Sequence, residues 1–102
     1  MNIRVILLGF FLIIPNVALA NKFNVINNSS YGANVLLRSG SAFYCNDLSG
    51  GSTRYISAGS SSSWSCGGGQ RVCFQYKKSH MNGWSDWYSD DCDSNSNSRS
   101  FN

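Results

Sequence analysis

The sequence predicts a small all-β domain, an antiparallel β-sandwich or barrel of about seven short strands that disulfides stabilise. Three observations lead to this expectation. After the first twenty residues, the chain is rich in serine, glycine, asparagine and aromatic residues and poor in residues that favour helices. Short segments of alternating apolar and polar residues are separated by turn-forming residues. Four cysteines follow a segment that has the features of an export signal.

The N-terminal segment, residues 1–20, has the three parts of a cleaved signal peptide. Arg4 supplies a positive charge, residues 5–14 form an apolar run of ten, and residues 18–20 (Ala-Leu-Ala) resemble a cleavage site. A membrane anchor needs about 20 apolar residues, so we expect cleavage rather than anchoring. Residues 21–102 then form one secreted domain, extracellular or periplasmic, without a membrane span. Such compartments favour disulfides.

Strands are expected where apolar residues recur at every second position. Val72, Phe74 and Tyr76 share one face of the clearest example. At the start of the domain, Phe23 belongs to a similar alternating segment. Leu36, in contrast, interrupts the alternation of the second expected strand. The seven expected strands are 23–27, 33–38, 42–45, 53–57, 60–66, 70–78 and 84–91.

The C-terminal segment is polar, and we expect a disordered tail from about residue 93 to residue 100. Residues 91–95 match the opening of a calcium-binding loop, but Ser96 and Asn102 replace the glycine and glutamate that such a loop requires. A polar tail is therefore the preferred interpretation. Two overlapping glycosylation motifs start at Asn27 and Asn28, and they matter only in a eukaryotic host.

The dipeptide at 82–83 (Asn-Gly) favours a two-residue hairpin turn, since both residues tolerate the positive φ angles of a type I′ turn. That register places Cys73 opposite Cys92, and a Cys45–Cys66 bond follows by elimination. A bond between Cys66 and Cys73 across the glycine-rich turn is the competing arrangement. A zinc site is not expected, because zinc ligands are usually closer together in the sequence.

The densest candidate site lies on this expected hairpin. Flat aromatic rings suit the apolar faces of sugars, and they also anchor protein interfaces. The alternative is that these rings form the core of a thin domain. The Asn-Gly register would place Lys77 opposite Tyr88 and Lys78 opposite Trp87, as cation–π pairs. The predicted binding residues are Tyr76, Lys78, Trp84, Trp87 and Tyr88.

Charge and residue content argue against several functional classes. When Arg4 is removed with the expected signal peptide, seven Lys and Arg residues and five Asp residues remain, which gives a net charge of +2. The basic residues are scattered, whereas a nucleic-acid partner favours a basic stripe. His80 beside Ser79 suggests a hydrolase only weakly, because adjacent strand residues point to opposite faces and a triad is defined by geometry. We therefore expect neither an enzyme nor a cofactor.

These observations together favour a small secreted binding or interaction protein, with a polysaccharide or a cell-surface protein as its partner. The alternative is a toxin-like, antimicrobial or host-directed effector. Positive charge and disulfides permit that alternative, although no long cationic amphipathic segment is present. An enzyme with His80 at its centre is the third class.

Overall fold

The computed structural model describes residues 21–93 and 97–102, and within them seven strands form two sheets. The expected signal peptide lies outside the described residues, as does the middle of the segment considered as a calcium-binding loop. The strands are β1 (Asn21–Asn27), β2 (Ala33–Gly40), β3 (Ser52–Ile56), β4 (Ser61–Cys66), β5 (Arg71–Lys78), β6 (Tyr88–Asp91) and β7 (Ser98–Phe101).

The two sheets face each other across one apolar core, which confirms the expected all-β fold and makes it a sandwich rather than a barrel. One sheet has the strand order β4-β1-β7, and the other has the order β3-β2-β5-β6. The chain therefore crosses between the sheets four times, in the connections β1–β2, β3–β4, β4–β5 and β6–β7. Among the described strands, the β1–β7 pair is parallel and the other pairs are antiparallel.

Alternation along the central strands decides which side chains form the core. Strand β1 directs Phe23 and Val25 inward, and β2 directs Val35 and Leu37 inward. Burying each of these side chains stabilises the fold by about 1.5–3 kcal/mol. The side chains that lie between them point outward, and on β2 these outward positions form part of the surface described below.

Asn27 is a buried polar residue whose side chain closes the turn between β1 and β2. Its Nδ2 donates to the backbone oxygens of Tyr31 at 2.8 Å and Ile56 at 3.0 Å, and its Oδ1 accepts from the Ser29 backbone N–H at 2.9 Å. These bonds offset the cost of burying the amide. Of the two glycosylation motifs, only the one at Asn28 has an exposed asparagine.

The strand expected at 42–45 is wrong. The segment between β2 and β3, residues 41–51, contains a short 3-10 helix, Cys45–Asp47, and crosses the outer face of the four-stranded sheet. Leu48 is buried there, and a side chain at Gly40 would collide with it. The segment therefore packs on a sheet face instead of adding a strand.

Disorder of the C-terminal tail is also wrong for its last residues, because Ser98–Phe101 form β7. Phe101 is 2% exposed, and its ring stacks on Tyr76 with 4.1 Å between ring centroids and 9° between planes. Pairing with β1 and one buried aromatic side chain outweigh the polar composition of this segment.

The expected hairpin register is wrong by three residues, since Cys73 lies opposite Ser89 and not Cys92. The β5–β6 connection spans residues 79–87 instead of two residues. The Ser79 N–H donates to the Gly32 oxygen at 3.0 Å, which draws the chain towards the β1–β2 loop. Gly83 does not have a positive φ, so the type I′ turn is absent.

The expected disulfide pairing is wrong as well, and the bonds are Cys45–Cys73 and Cys66–Cys92. Cys73 alternates with inward-facing residues of β5, so it points to the outer face, where residues 41–51 cross. Cys66 ends β4 and Cys92 follows β6, so their bond joins the two sheets at one end. The Cα–Cα distance is 5.7 Å in the Cys45–Cys73 bond and 6.2 Å in the Cys66–Cys92 bond, and both lie within the normal range for disulfides.

Candidate functional site

The five predicted binding residues do not share one surface. Tyr76 and Tyr88 point into the sandwich and pack against the core. Tyr88 stacks on Phe74 with ring centroids 4.9 Å apart, and Tyr76 stacks on Phe101. Burial, together with the neighbouring Tyr88 hydroxyl, raises the pKa of the Tyr76 hydroxyl above its ordinary value. Both tyrosines therefore pack against the core, and each keeps part of its surface exposed.

Lys78 lies at one end of the sandwich, on the same side of the sheet as Tyr76. Its Nζ is 5.7 Å from the centre of the Tyr76 ring. The predicted pairing of Lys78 with Trp87 is wrong, and so is that of Lys77 with Tyr88, because Tyr88 lies opposite Phe74. Two arginines contact these rings instead, Arg38 of β2 at Trp87 and Arg99 of β7 at Tyr88.

Trp87 faces the outer side of the four-stranded sheet, where the Arg38 guanidinium lies 5.3 Å from its ring centre. Arg38 is held in turn by residues 41–51. Its Nε donates to the Gly50 oxygen at 3.0 Å, and a terminal nitrogen donates to the Leu48 oxygen at 3.3 Å. The Arg38 guanidinium, which two hydrogen bonds hold in place, therefore packs against the half-exposed Trp87 ring.

Residues 41–51 cover only half of this outer face. Their Cys45–Cys73 bond leaves Cys73 with no exposed surface, although its side chain points outward. Beyond Arg38, the other half is uncovered, and we call it the open strip. It consists of Asn34 and Leu36 on β2, Thr53 and Tyr55 on β3, Gln75 and Lys77 on β5, and Trp87.

The open strip runs across the strands and has an aromatic side chain near each end. Leu36 lies opposite Thr53 on one side and Gln75 on the other. Neighbouring strands are about 4.8 Å apart, so four strands give a width of about 14 Å. Tyr55 is 67% exposed, and its hydroxyl lies so close to Gly32 that any side chain at Gly32 would displace it. The strip is therefore long, largely uncharged and bounded by two rings.

Trp84 lies in the 79–87 connection and is 43% exposed. In the same connection His80 is exposed, and its ring is 4.1 Å from that of Tyr31, between centroids. Among residues 21–93 and 97–102, no group of three or more His, Cys, Asp or Glu side chains is placed to hold a metal ion. These exposed rings add aromatic surface at the end of the sandwich where the connection lies.

Four residues of this surface were not among those predicted from the sequence: Arg38, Leu36, Tyr55 and Gln75. A signal for one of them was present, because Leu36 breaks the alternation of β2. An apolar residue at an outward position of a half-buried strand indicates a surface that is not purely solvated. The contact between Arg38 and Trp87 has no comparable signal, since it joins β2 to the end of the 79–87 connection, far apart in the sequence.

In the part of the chain that the structure describes, no helix has the length and apolar character needed to cross a bilayer. Comparisons of the chain with protein-family models, with curated proteins and with solved structures find no match in any of the three.

Proposed function

We propose that this protein is secreted and binds carbohydrate, as part of a cell surface or an extracellular polymer, through the open strip. The observation that carries the proposal is the outward Trp87 ring, which Arg38 supports at one end of a strip that has Tyr55 at the other. Two disulfides in the described residues support an oxidising compartment.

The chemistry of the strip matches that of a sugar chain. A sugar ring has apolar C–H faces, which stack on aromatic rings, and a rim of hydroxyl groups. The amides of Asn34 and Gln75 both donate and accept hydrogen bonds, as hydroxyl groups require. Lys77 is the one charged member of the strip, and its ammonium group can donate hydrogen bonds to sugar hydroxyl groups.

The strip is also held in place before any ligand binds. Most of its side chains stand on paired strands, and the hydrogen bonds of Arg38 restrict the ring that it supports. A surface that is already ordered loses less conformational entropy on binding. The width of about 14 Å suits several linked sugar rings rather than one.

The test is retention of the purified, oxidised protein on insoluble chitin, cellulose and peptidoglycan. We expect retention on at least one of them, and we expect Trp87→Ala and Tyr55→Ala each to remove most of it. Tyr44→Ala is the matched control, because Tyr44 is 66% exposed but lies on the segment 41–51, outside the strip. Circular dichroism and thermal unfolding establish that each variant is folded.

Retention that is unchanged in both strip variants would contradict the proposal, as would absence of retention on all three polymers. Dye leakage from anionic vesicles, measured with the same protein, covers the effector alternative. Leakage without polysaccharide retention would favour that alternative over a carbohydrate-binding function.

A further inference from the structure

The structure has a cavity of about 180 Å³ at the end of the sandwich opposite the 79–87 connection. It is separate from the open strip and lies where β2 ends, where β5 begins and where β6 ends. Its lining residues are Ser41, Ala42, Phe43, Gly69, Arg71 and Asp91. Pockets for drug-sized ligands measure about 300–1,000 Å³, so this cavity suits one small ring and not an oligosaccharide.

Both sides of the cavity are fixed by disulfides. The side formed by residues 41–43 belongs to the segment that the Cys45–Cys73 bond ties to β5. The side formed by Gly69 belongs to the β4–β5 turn, which follows Cys66 and donates a backbone hydrogen bond to the Cys92 oxygen at 2.7 Å. The cavity is therefore ordered without a ligand, which lowers the cost of binding.

Gly69 keeps one side of the cavity open. Its φ of 78° lies in the left-handed region that favours glycine, and a Cβ built on it would meet no atom within 4 Å. The turn conformation thus places backbone, and no side chain, against the cavity. A ligand can therefore approach the backbone at Gly69 without meeting a side chain of that residue.

The polar part of the cavity is a loosely paired arginine and aspartate. Arg71 and Asp91 lie opposite each other where the β5–β6 ladder ends, with 3.7 Å between their closest nitrogen and oxygen. This distance exceeds that of a normal hydrogen bond. The same Arg71 nitrogen donates to the Ser89 hydroxyl at 3.0 Å, and the Asp91 side chain is 66% exposed. Both groups can therefore still bond to a ligand.

The apolar part is Phe43, whose ring centre lies 5.2 Å from the Arg71 guanidinium carbon. This contact orients the guanidinium and adds an aromatic wall beside it. Because the charges of Arg71 and Asp91 offset each other, a ligand with a net charge gains little from the pair. Neighbouring hydroxyl groups, which accept from a guanidinium and donate to a carboxylate, satisfy both partners at once.

We propose that this cavity binds a single neutral sugar ring, with its hydroxyl groups on Arg71 and Asp91 and its C–H atoms against Phe43. The proposal takes its ligand class from the proposed function and adds a second site for it. An isolated ring held by a few such bonds binds weakly, with a Kd of about 1 mM.

The test is a titration of the ¹⁵N-labelled, oxidised protein with glucose, galactose and N-acetylglucosamine, followed by the backbone amide signals. We expect at least one sugar to shift the Gly69 and Arg71 amides in a saturable manner. Asp91→Asn should weaken this binding about tenfold. Asp90→Asn is the matched control, because Asp90 pairs with Arg99 at 2.8 Å and is not part of the cavity lining.

The proposal is overturned if none of the sugars shifts these amides, or if the two asparagine variants bind equally well. It is also overturned if alanine, a zwitterion, shifts them and the sugars do not. Polysaccharide retention that persists without these shifts would leave the open strip supported and reject the cavity. Saturable shifts without any retention would support the cavity and reject the open strip.

Discussion

Removal of the Cys45–Cys73 disulfide, by Cys45→Ala with Cys73→Ala, is expected to destabilise the domain strongly. The bond joins residues 28 apart in the sequence. Closing a loop of that length removes about 12 cal/mol/K of entropy from the unfolded chain, which stabilises the folded state by about 3.6 kcal/mol at 25 °C. For a domain of this size, losing that stabilisation lowers Tm by about 15–30 °C.

The Cys66–Cys92 bond provides an internal comparison. It joins residues 26 apart, and the same relation gives about 3.5 kcal/mol for its removal. Because removing either disulfide changes the entropy of the unfolded chain by nearly the same amount, any difference in the free energy of unfolding between the two double variants reports on contacts in the folded state. We expect only the Cys45/Cys73 variant to change the environment of Trp87, since residues 41–51 hold the Arg38 side chain beside that ring.

The assay is urea-induced unfolding followed by circular dichroism, with tryptophan fluorescence of the folded state as a second signal. A loss of stability below about 1 kcal/mol for the Cys45/Cys73 variant would show that closing this loop does not stabilise the domain as its length predicts. Peptide mapping of the unreduced wild-type protein gives an independent check. A Cys45–Cys66 link would contradict the pairing on which the calculation depends.

Three further predictions concern the core and its hydrogen bonds. Phe101→Ala should lower the free energy of unfolding by about 3–5 kcal/mol, because the ring is buried against Tyr76, and a loss near zero in urea unfolding would mean that β7 is not part of the fold. Asn27→Ala should cost about 2 kcal/mol or more by the same assay, since it removes the partners of buried backbone groups, and an unchanged midpoint would count against this role. Because the folded-state pKa of Tyr76 is raised, its contribution to stability should be complete below pH 10 and decline as the pH rises above it. Ultraviolet titration of wild type and Tyr76→Phe detects the raised pKa, and urea unfolding at several pH values measures the decline in stability. Identical pH–stability curves for the two proteins would disprove the effect.

The strands that face the core could be predicted from the sequence because their pattern is local. Alternate residues of β1 and β5 are apolar, and the sandwich buries them. Two other segments depend on distant partners instead. Residues 42–45 are drawn onto a sheet face by Cys73, and Ser98–Phe101 become a strand because β1 offers an open edge. Neither partner is visible in the local pattern.

The candidate site could be predicted only in part, for a similar reason. The aromatic residues near the β5–β6 connection were identified, but which face each occupies depends on the register. The Asn-Gly preference suggested a tight turn, whereas the Ser79 backbone bonds to Gly32 and lengthens the connection. That change places Tyr88 opposite Phe74 and inside the sandwich.

Binding through the open strip is tested by depletion isotherms of Trp87→Ala, Tyr44→Ala and wild type on the polysaccharide that retains the wild-type protein. We expect Trp87→Ala to bind at least about tenfold more weakly, a loss of about 1.4 kcal/mol, while Tyr44→Ala binds as wild type does. Equal isotherms for the three proteins, with Trp87→Ala folded, would contradict a binding surface centred on the ring that Arg38 supports.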